Sequence, residues 1–493
     1  MNVILAGVNI DRETLKELGE GTASLQESPT PETISAAYAR ISRNPRPVNE
    51  LREIARREVE KARKSNQSIV FDMGHSSIAE HAVFNVDVLG VSRLIVEEIE
   101  KFRLASYTEK SQRYIRLEDD FVIPEEIRNT DLEDQFVAVI REQNALYHRL
   151  YGALRALVFE THRELALESA NTSMLEGWAK EDARYIVALA TETQLGMTAN
   201  ARTLELMLRR MASHPLREAN HYGRALYDAV KTVAPSLIRY TDATAFDRDT
   251  RHDLMRAAHH IMETHLRNAV PPHIAPDARE SVALIDATPD GDDCIVASLL
   301  HGASWSPLKE CRHLAGILTR EEKEAIVKTA CRRMASYDAP LREFETADMT
   351  FEATISASCF AQMKRHRMAT IISQHYDPDL GVTLPPMIRD AGMEKPFMEV
   401  IARTEALYRR IVRHSPQAAP YILTNAHRKR VLIKVNVREL YHISRLREDS
   451  HAQWDIRETA QRMVHLGKSV MPISLAYACG KDAFADMQKR MIP

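Results

Sequence analysis

Apolar residues recur at three- and four-residue intervals along much of the chain, which is the spacing of amphipathic helices. Residues 133–168 and 399–414 show this spacing over long stretches. Alternation of apolar and polar residues is rarer and predicts half-buried strands at HAVFNVDVLGV (81–91) and MTFEATIS (349–356). The amino-terminal VILAGVNID also predicts a strand. We therefore expect a helix-rich α+β protein in which long helices pack against small sheets.

The two halves of the chain repeat one order of elements. Each half begins with a short strand and a helix, continues with an alternating strand and a second helix, and ends with a helix that carries an N-x-R motif. These last segments are TANARTLELMLRRMASH and KVNVRELYHISRLREDSHAQW. The period is far longer than that of a solenoid repeat. We predict two homologous domains, a first repeat over 1–245 and a second repeat over 281–493.

The predicted linker, residues 246–280, is rich in histidine. Its histidines are His252, His259, His260, His265 and His273. A metal site is one interpretation, but adjacent His259 and His260 face different sides of a helix, and no cysteine or paired carboxylate completes a ligand set. A solvated helical linker is the other interpretation, and we expect it.

The charge balance excludes a broad electrostatic surface for nucleic acid or an anionic membrane. The chain has 66 basic and 69 acidic residues and a net charge of −3. No stretch approaches the roughly 20 apolar residues that cross a bilayer, and the amino-terminal apolar run is too short for a secretory signal. The five cysteines form no CxxC pair, which is typical of free thiols in a reducing compartment. We expect a cytoplasmic protein.

The segment KRHRMATIISQHYD places Arg365, His366 and Arg367 at the end of a predicted helix. Guanidinium groups offer planar, bidentate donors to phosphate or to a carbonyl edge, and an imidazole can donate to a diphosphate. The alternative is a solvated helix terminus whose cations complement the helix dipole, and the tripeptide alone favours this alternative.

In the first repeat, the corresponding segment LASYTEKSQRYI predicts a polar recognition loop. Its hydroxyl groups and Arg113 could hold a phosphorylated ligand, and Glu109 could accept from a ribose hydroxyl or a ring nitrogen. A serine- and threonine-rich turn that caps the next element explains the same residues.

Taken together, the motifs resemble those of the flavin-dependent (alternative) thymidylate synthases. The signature of that family is RHR, then seven residues, then a serine followed by Q-R-Y. GHSSIAEHAVFNVDVLGVSR (74–93) resembles the family's GHxSxxEH segment, and VNVRELYHISRLREDSHAQWDIR (435–457) resembles its carboxy-terminal signature. The second of these is the most specific match. The resemblance covers nearly all of both repeats and implies a tandem fusion of two such domains.

Each repeat departs from the family pattern where the other keeps it. The first repeat has KFR (101–103) in place of RHR but keeps Ser111 and the residues after it. The second repeat keeps RHR (365–367), but His375 stands at the serine and Asp377 at the arginine.

The same division holds for two further motifs. GHxSxxEH survives at 74–81 in the first repeat, where the second repeat has SYDAPLREF (336–344). The family's base-contacting glutamine matches Gln362 in the second repeat, whereas Glu98 stands there in the first.

Two arginine positions of the family are also each kept in only one repeat. KEDARYIVA resembles the family's phosphate-binding segment and supplies Arg184, where the second repeat has Pro420. The arginine that polarises the uracil ring in the family matches Arg447, for which Arg210 is the nearest counterpart in the first repeat. The resemblance therefore implies one composite site assembled from both repeats.

The resemblance assigns roles to individual residues. Arg447 would be catalytic and stabilise negative charge on the pyrimidine ring. The residues that would bind the nucleotide are Glu109, Ser111, Gln112, Arg113, Arg184, Gln362, Arg365 and Arg447. The residues that would bind FAD are Ser77, Glu109, Arg365, His366, Arg367, Asn436, Arg438 and His442, the last at a position where the family usually has asparagine. No metal ligand set is implied.

The reaction implied is reductive methylation of dUMP to dTMP, with methylenetetrahydrofolate as carbon donor, FAD as hydride carrier and NADPH as reductant. A homodimer of the chain would mimic the family's four-domain tetramer. Two alternatives stay open: methyl or hydroxymethyl transfer to another pyrimidine nucleotide by the same chemistry, and a non-catalytic nucleotide-binding paralogue.

Overall fold

The computed structural model describes residues 1–20, 30–42, 44–269 and 281–491. The chain divides into two compact units. Unit 1 comprises Met1–Leu146, Val187–Pro271 and Met398–Leu423, and unit 2 comprises Tyr147–Ile186, Pro272–Phe397 and Thr424–Pro493. Each unit therefore contains a segment from the opposite predicted repeat. The domain boundaries inferred from the sequence stay a prediction, since the compact units follow a different division.

The strands in chain order are β1 (Asn2–Val8), β2 (Val83–Ser92), β3 (Ala105–Glu109), β4 (Glu192–Asn200), β5 (Val282–Ala287), β6 (Asp348–Ser356), β7 (Thr370–Ser373) and β8 (Arg428–Asn436).

The helices in chain order are α1 (Arg12–Gly19), α2 (Pro31–Ile41), α3 (Val48–Arg57), α4 (Val59–Gln67), α5 (Arg93–Ile99), α6 (Asp131–Thr161), α7 (Arg163–Ala166), α8 (Thr172–Ala183), α9 (Ala201–Ala212), α10 (Arg217–Val230), α11 (Ala245–Ala269), α12 (Gly291–Ala303), α13 (Leu308–Ile317), α14 (Arg320–Cys331), α15 (Ala357–Met363), α16 (Pro386–Asp390), α17 (Glu394–His414), α18 (Val437–Arg447), α19 (Trp454–Val470) and α20 (Phe484–Met491).

Each unit contains a four-stranded antiparallel sheet with the same topology. The strand order is β1-β2-β4-β3 in unit 1 and β5-β6-β8-β7 in unit 2. Each first strand carries a register shift at the same place, between Leu5 and Gly7 in β1 and between Leu284 and Asp286 in β5. The predicted α+β class and the repeated order of elements are confirmed.

Alternating burial shows which face of a central strand packs against the helices. In β6, Met349, Phe351, Ala353 and Ile355 are buried against helices of unit 2, while the residues between them are partly exposed. Because successive side chains of a strand point to opposite faces, this alternation fixes which face packs on the helices. The strands predicted at 81–91 and 349–356 are confirmed as β2 and β6.

A serine, an acid and a tyrosine form a buried hydrogen-bonded triad in each unit. In unit 1, Glu218 of α10 accepts from the hydroxyl groups of Ser92 and Tyr421. In unit 2, Asp455 of α19 accepts from those of Ser356 and Tyr185. In each triad the tyrosine comes from one repeat, and the serine and acid come from the other. The exchanged segments therefore add a second hydroxyl donor to each buried carboxyl group.

Two further expectations concern loops. The polar segment after α5 is in part a strand, because Ala105–Glu109 pairs with β4 as an edge strand before the loop begins at Lys110. The predicted linker (246–280) overlaps α11 (Ala245–Ala269), whose residues 248–265 are exposed. His273 lies outside the described residues. The cysteines are free thiols, and no helix in the described part of the chain is long and apolar enough to span a bilayer.

The unit 1 triad yields a stability prediction. Replacing Tyr421→Phe removes the donor to Glu218 while keeping the ring, so the free energy of unfolding should fall by about 2 kcal/mol, the usual loss for a hydrogen bond to an acidic group. Urea unfolding of the intact chain, followed by circular dichroism, measures this difference. Tyr337→Phe is the matched control, because Tyr337 is exposed, and it should change stability by less than about 0.5 kcal/mol. Equal stability of the two variants would contradict the role given to the triad.

Candidate functional site

The RHR segment of unit 2 follows directly on α15. Ser356 caps the amino terminus of this helix by accepting from the Cys359 backbone N–H at 2.9 Å. In the turn between α15 and β7, His366 is buried and the side chains of Arg365 and Arg367 are exposed. The turn thus presents two cationic side chains to solvent and fixes the imidazole between them.

Helix α18 supplies the second group of this site. Asn436 caps its first turn by accepting from the Glu439 backbone N–H at 2.8 Å, and Arg447 is its last residue. Arg447 Nε donates to His366 Nε2 at 3.0 Å, and its Nη2 donates to the carbonyl oxygen of Gln362 at 3.2 Å. The structure therefore brings the predicted catalytic arginine into direct contact with the RHR segment.

The imidazole of His366 is neutral at physiological pH. Burial, and to a smaller extent the charge of Arg447, lowers its pKa from 6.5 to about 3. The exposed ring of His442 meets His366 edge-on, with ring centroids 5.7 Å apart. Because a guanidinium can only donate, Nε2 of His366 must be the acceptor in its contact with Arg447.

The first repeat contributes Arg184 to the same unit. This buried residue begins a 3-10 turn (Arg184–Ile186) directly after α8. Its backbone carbonyl accepts from the Asn425 side chain at 2.9 Å, and its Nε donates to the Glu181 carbonyl at 3.2 Å. Unit 2 therefore contains the predicted phosphate arginine of the first repeat together with the RHR segment of the second.

A chain of hydrogen bonds runs from the residue after Arg184 to the predicted base-contacting glutamine. Tyr185 donates its hydroxyl proton to Asp455 at 2.9 Å and accepts from Gln453 Nε2 at 2.8 Å. Gln453 Oε1 in turn accepts from Gln362 Nε2 at 3.2 Å. The chain fixes the amide orientation of both glutamines.

This orientation determines what Gln362 can recognise. Its amide nitrogen donates to Gln453 Oε1 and, at 3.4 Å, to the carbonyl oxygen of Ser358. Both amide hydrogens are engaged, so Oε1 is the group left to interact with a ligand. A carbonyl oxygen accepts, which suits the ring N–H of an imide.

Two predicted FAD-binding residues have structural partners. Asn436 is the helix cap described above. Arg438 Nε donates to the Pro340 carbonyl at 2.7 Å, and its Nη1 pairs with Glu345 at 3.1 Å. These contacts tie α18 to the segment before β6, and the assignment of both residues to FAD stays a prediction.

The remaining predicted ligands lie in unit 1. Ser77 is exposed in a 3-10 turn, and Ser111 Oγ accepts from the Arg113 backbone N–H at 3.2 Å. Gln112 is buried, and Glu109 forms a buried ion pair with Arg93. These residues lie in unit 1, whereas the RHR segment lies in unit 2. The ligand roles assigned to the unit 1 residues stay predictions.

In unit 1, apolar residues stand at the positions that Arg447 and Gln453 hold in unit 2. Counting from the helix caps Asn200 and Asn436 places Met211 at the position of Arg447. Arg210, one residue earlier, pairs with Asp247 at 3.0 Å. Leu216 takes the capping position that Gln453 holds in unit 2. The structure thus resolves the one-residue ambiguity left by the sequence.

Four residues near this site were not identified as functional candidates from the sequence: Asp182, Tyr185, Glu439 and Gln453. Tyr185 and Gln453 stand inside the two quoted motifs KEDARYIVA and SHAQW, so only their hydrogen-bonding partners were missing. Asp182 and Glu439 also stand inside quoted motifs, but only their burial distinguishes them from the neighbouring residues. Within the described ranges, no group of histidine, cysteine and acidic side chains is arranged to hold a metal ion.

Asp182 is a buried acid two residues before Arg184. Its Oδ1 accepts from Trp454 Nε1 at 2.7 Å, and its Oδ2 is buried and has no hydrogen-bond partner in the described part of the chain. Burial raises the pKa of Asp182 from 3.8 to about 7, the Trp454 hydrogen bond opposes the rise, and the charge of Glu181 adds to it. The carboxyl group therefore changes its protonation near neutral pH.

Comparison with known proteins gives a consistent family match. The model of the family described as "Thymidylate synthase complementing protein" matches residues 25–236 and again 283–473. A relative described as flavin-dependent thymidylate synthase, from Clostridium tetani, is 29% identical over 46% of this chain and 88% of its own length.

Other relatives match along most of the chain. A UPF0159 protein from Thermoplasma acidophilum is 25% identical over 89% of this chain and 93% of its own length. A UPF0159 protein from Chlamydia muridarum is 23% identical over 85% of this chain and 80% of its own length. Thymidylate synthase X from Helicobacter pylori, solved with FAD and dUMP, is 18% identical with a TM-score of 0.33, covering 48% of this chain and 98% of that one.

Asp182 yields a prediction on pH. The unfolded chain loses this proton near pH 3.8 and the folded chain only near pH 7, so wild-type stability falls as pH rises through that interval. Asp182→Asn cannot ionise, and its oxygen can still accept from Trp454. The difference in free energy of unfolding, variant minus wild type, should therefore increase by about 3 kcal/mol between pH 4 and pH 8.

Urea unfolding at a series of pH values measures this difference. Asp87→Asn is the control, because Asp87 is exposed on β2, and its stability should run parallel to the wild type throughout. A constant difference between Asp182→Asn and the wild type would show that Asp182 does not titrate in this interval.

Proposed function

The chain belongs to the thymidylate synthase complementing protein family, and on that premise we propose that it catalyses the flavin-dependent reductive methylation of dUMP to dTMP. It is a thymidylate synthase-like enzyme. Methylenetetrahydrofolate would donate the carbon unit and NADPH would reduce the flavin. The active site would be assembled from side chains of both repeats.

One observation carries the proposal. Arg184 of the first repeat and the RHR segment, Gln362 and Arg447 of the second lie in the same compact unit. The hydrogen-bonded chain of Tyr185 and Gln453 connects the Arg184 segment to Gln362. Unit 1 lacks the corresponding side chains. The motifs that each repeat retains are therefore complementary, whereas random loss of function would remove them from both repeats alike.

The chain's own residues would divide the work as follows. Arg184 would neutralise the 5′-phosphate through its guanidinium group. Gln362 Oε1 would accept from the ring N–H of the pyrimidine. Arg447 would stabilise negative charge that develops on the ring during reduction, and Arg365 would support it from the exposed side of the turn.

The donor set beside His366 fits a flavin dinucleotide. The exposed guanidinium groups of Arg365 and Arg367 offer bidentate donors to a diphosphate, and His366 between them is buried. Asn436, Arg438 and His442 on α18 complete the group assigned to FAD. When bound, the flavin supplies the hydride. Because both arginines are in one turn, their cationic side chains would lie close together before the cofactor binds.

Unit 1 would contribute in a second way. Ser111, Gln112 and Arg113 would add donors for the nucleotide, and Ser77 and Glu109 would contact the cofactor. We further propose that two copies of the chain associate, so that four such domains assemble.

The proposal is tested by colour and turnover. Purified protein should be yellow from bound flavin, and anaerobic addition of dUMP and methylenetetrahydrofolate to the reduced protein should reoxidise the flavin and form dTMP. Chromatography of the product distinguishes methyl from hydroxymethyl transfer, and the same assay with other pyrimidine nucleotides identifies a changed substrate. A colourless protein that binds nucleotide without turnover would instead indicate a non-catalytic paralogue.

Single arginine variants test which residues form the site. Arg184→Ala and Arg447→Ala should each reduce dTMP formation at least about 100-fold, because each removes a cation that contacts the nucleotide. Arg210→Ala is the matched control: this arginine pairs with Asp247 in unit 1, and its loss should leave turnover within about twofold. Equal damage from all three substitutions would contradict the assignment of the site to unit 2.

A further inference from the structure

A buried donor and a buried acceptor face each other on the far side of His366 from Arg447. His366 Nδ1 lies 3.6 Å from Glu439 Oε1, just beyond hydrogen-bond length. Only 2% of the His366 side chain and 6% of the Glu439 side chain are exposed. Neither atom has a hydrogen-bond partner in the described part of the chain. Such pairs are uncommon, because an unsatisfied buried polar atom is costly.

The chemistry of the three groups fixes where the protons are. Arg447 Nε can only donate, so His366 Nε2 holds the lone pair that accepts from it. Burial keeps the pKa of His366 at about 3, so the imidazole is neutral and its single N–H must be at Nδ1. That N–H is on the ring nitrogen that lies 3.6 Å from the Glu439 carboxyl group. A rotated ring or the other tautomer would leave Arg447 without its acceptor.

Helix geometry sets the position of Glu439. It is the third residue of α18, where its backbone N–H donates to Asn436, and Arg447 ends the same helix. One rigid helix therefore holds both outer members of the series Glu439, His366 and Arg447. His442 on the same helix meets the imidazole edge-on.

The first repeat has lost all three groups together. Phe102 stands at the position of His366, Thr203 at that of Glu439 and Met211 at that of Arg447. Thr203 donates its backbone N–H to Asn200 just as Glu439 does to Asn436, so the helix cap persists without the acid. The carboxyl group is therefore not a requirement of the fold.

We propose that Glu439 is a positioning residue for the reaction: it accepts from Nδ1–H of His366, fixes the tautomer and rotation of that ring, and so orients the guanidinium of Arg447. The role rests on the function proposed above. The 3.6 Å separation shortens to a hydrogen bond when nucleotide and cofactor fill the site, because catalytic hydrogen bonds commonly tighten in the complex. Glu439 touches no reacting atom.

The experiment is a double-mutant cycle on the full-length protein. Glu439→Met removes the acceptor and should lower kcat for dTMP formation about tenfold, with KM for dUMP changed less than twofold. Glu439→Gln keeps an oxygen acceptor and should restore most of kcat. His366→Gln can accept from Arg447 without a tautomer to fix, so Glu439→Met should have no further effect in that background.

Nitrogen-15 NMR of histidine-labelled protein gives a readout independent of turnover. The His366 signals, assigned by their loss in His366→Gln, should report a neutral ring protonated at Nδ1 and should move toward mixed tautomers in Glu439→Met. Glu399→Met, an exposed glutamate on α17, is the control and should leave spectra and kcat unchanged.

The two proposals fail in different ways. Absence of flavin and of turnover in the wild-type protein would refute the proposed function, while the NMR comparison would still decide on Glu439. Normal turnover with identical His366 signals in the wild type and Glu439→Met would overturn the positioning role, as would additive effects in the double mutant.

Discussion

The placement of the candidate site depends on one buried interaction, the hydrogen bond from a tyrosine of one repeat to a carboxyl group of the other. Tyr185 donates to Asp455 in unit 2, and Tyr421 donates to Glu218 in unit 1. Each hydrogen bond to a buried carboxyl group offsets part of the free-energy cost of burying it, so the tyrosine helps to hold its own segment in place. Arg184 immediately precedes Tyr185. The predicted phosphate-binding arginine of the first repeat therefore lies in the same compact unit as the RHR segment of the second.

Fold and chemistry are separately constrained in the two units. Both keep the triad, the helix-capping asparagines and the sheet topology, which any packed copy of this domain requires. Only unit 2 keeps Arg184, Gln453 and Arg447. Unit 1 has proline, leucine and methionine at those positions, and such residues pack without needing partners. Unit 1 therefore keeps the sheet topology without the polar side chains that unit 2 has at these positions.

The sequence predicted local structure well because local structure follows from local patterns. Alternation located β2 and β6, and the three- and four-residue spacing located α6 and α17. It could not predict the exchange of segments, since nothing in a pattern of neighbours indicates which distant carboxyl group a tyrosine meets. The polar segment before Lys110 gives no clear strand pattern, because its edge strand is short and only partly buried.

The site residues were likewise predictable only where a local sequence motif contained them and indicated a role. Motif resemblance identified Arg447, His366 and Gln362, whereas Glu439 and Asp182 emerged only from burial and geometry. Their neighbourhood also explains why Arg447 differs from Arg210. Two hydrogen bonds of Arg447 go to the neutral imidazole of His366 and the carbonyl of Gln362, and both orient its guanidinium group. Arg210 instead faces the carboxylate of Asp247, which neutralises its charge. Since transition-state stabilisation needs a charge in a fixed position, contacts that orient the guanidinium of Arg447 are what its proposed catalytic role requires.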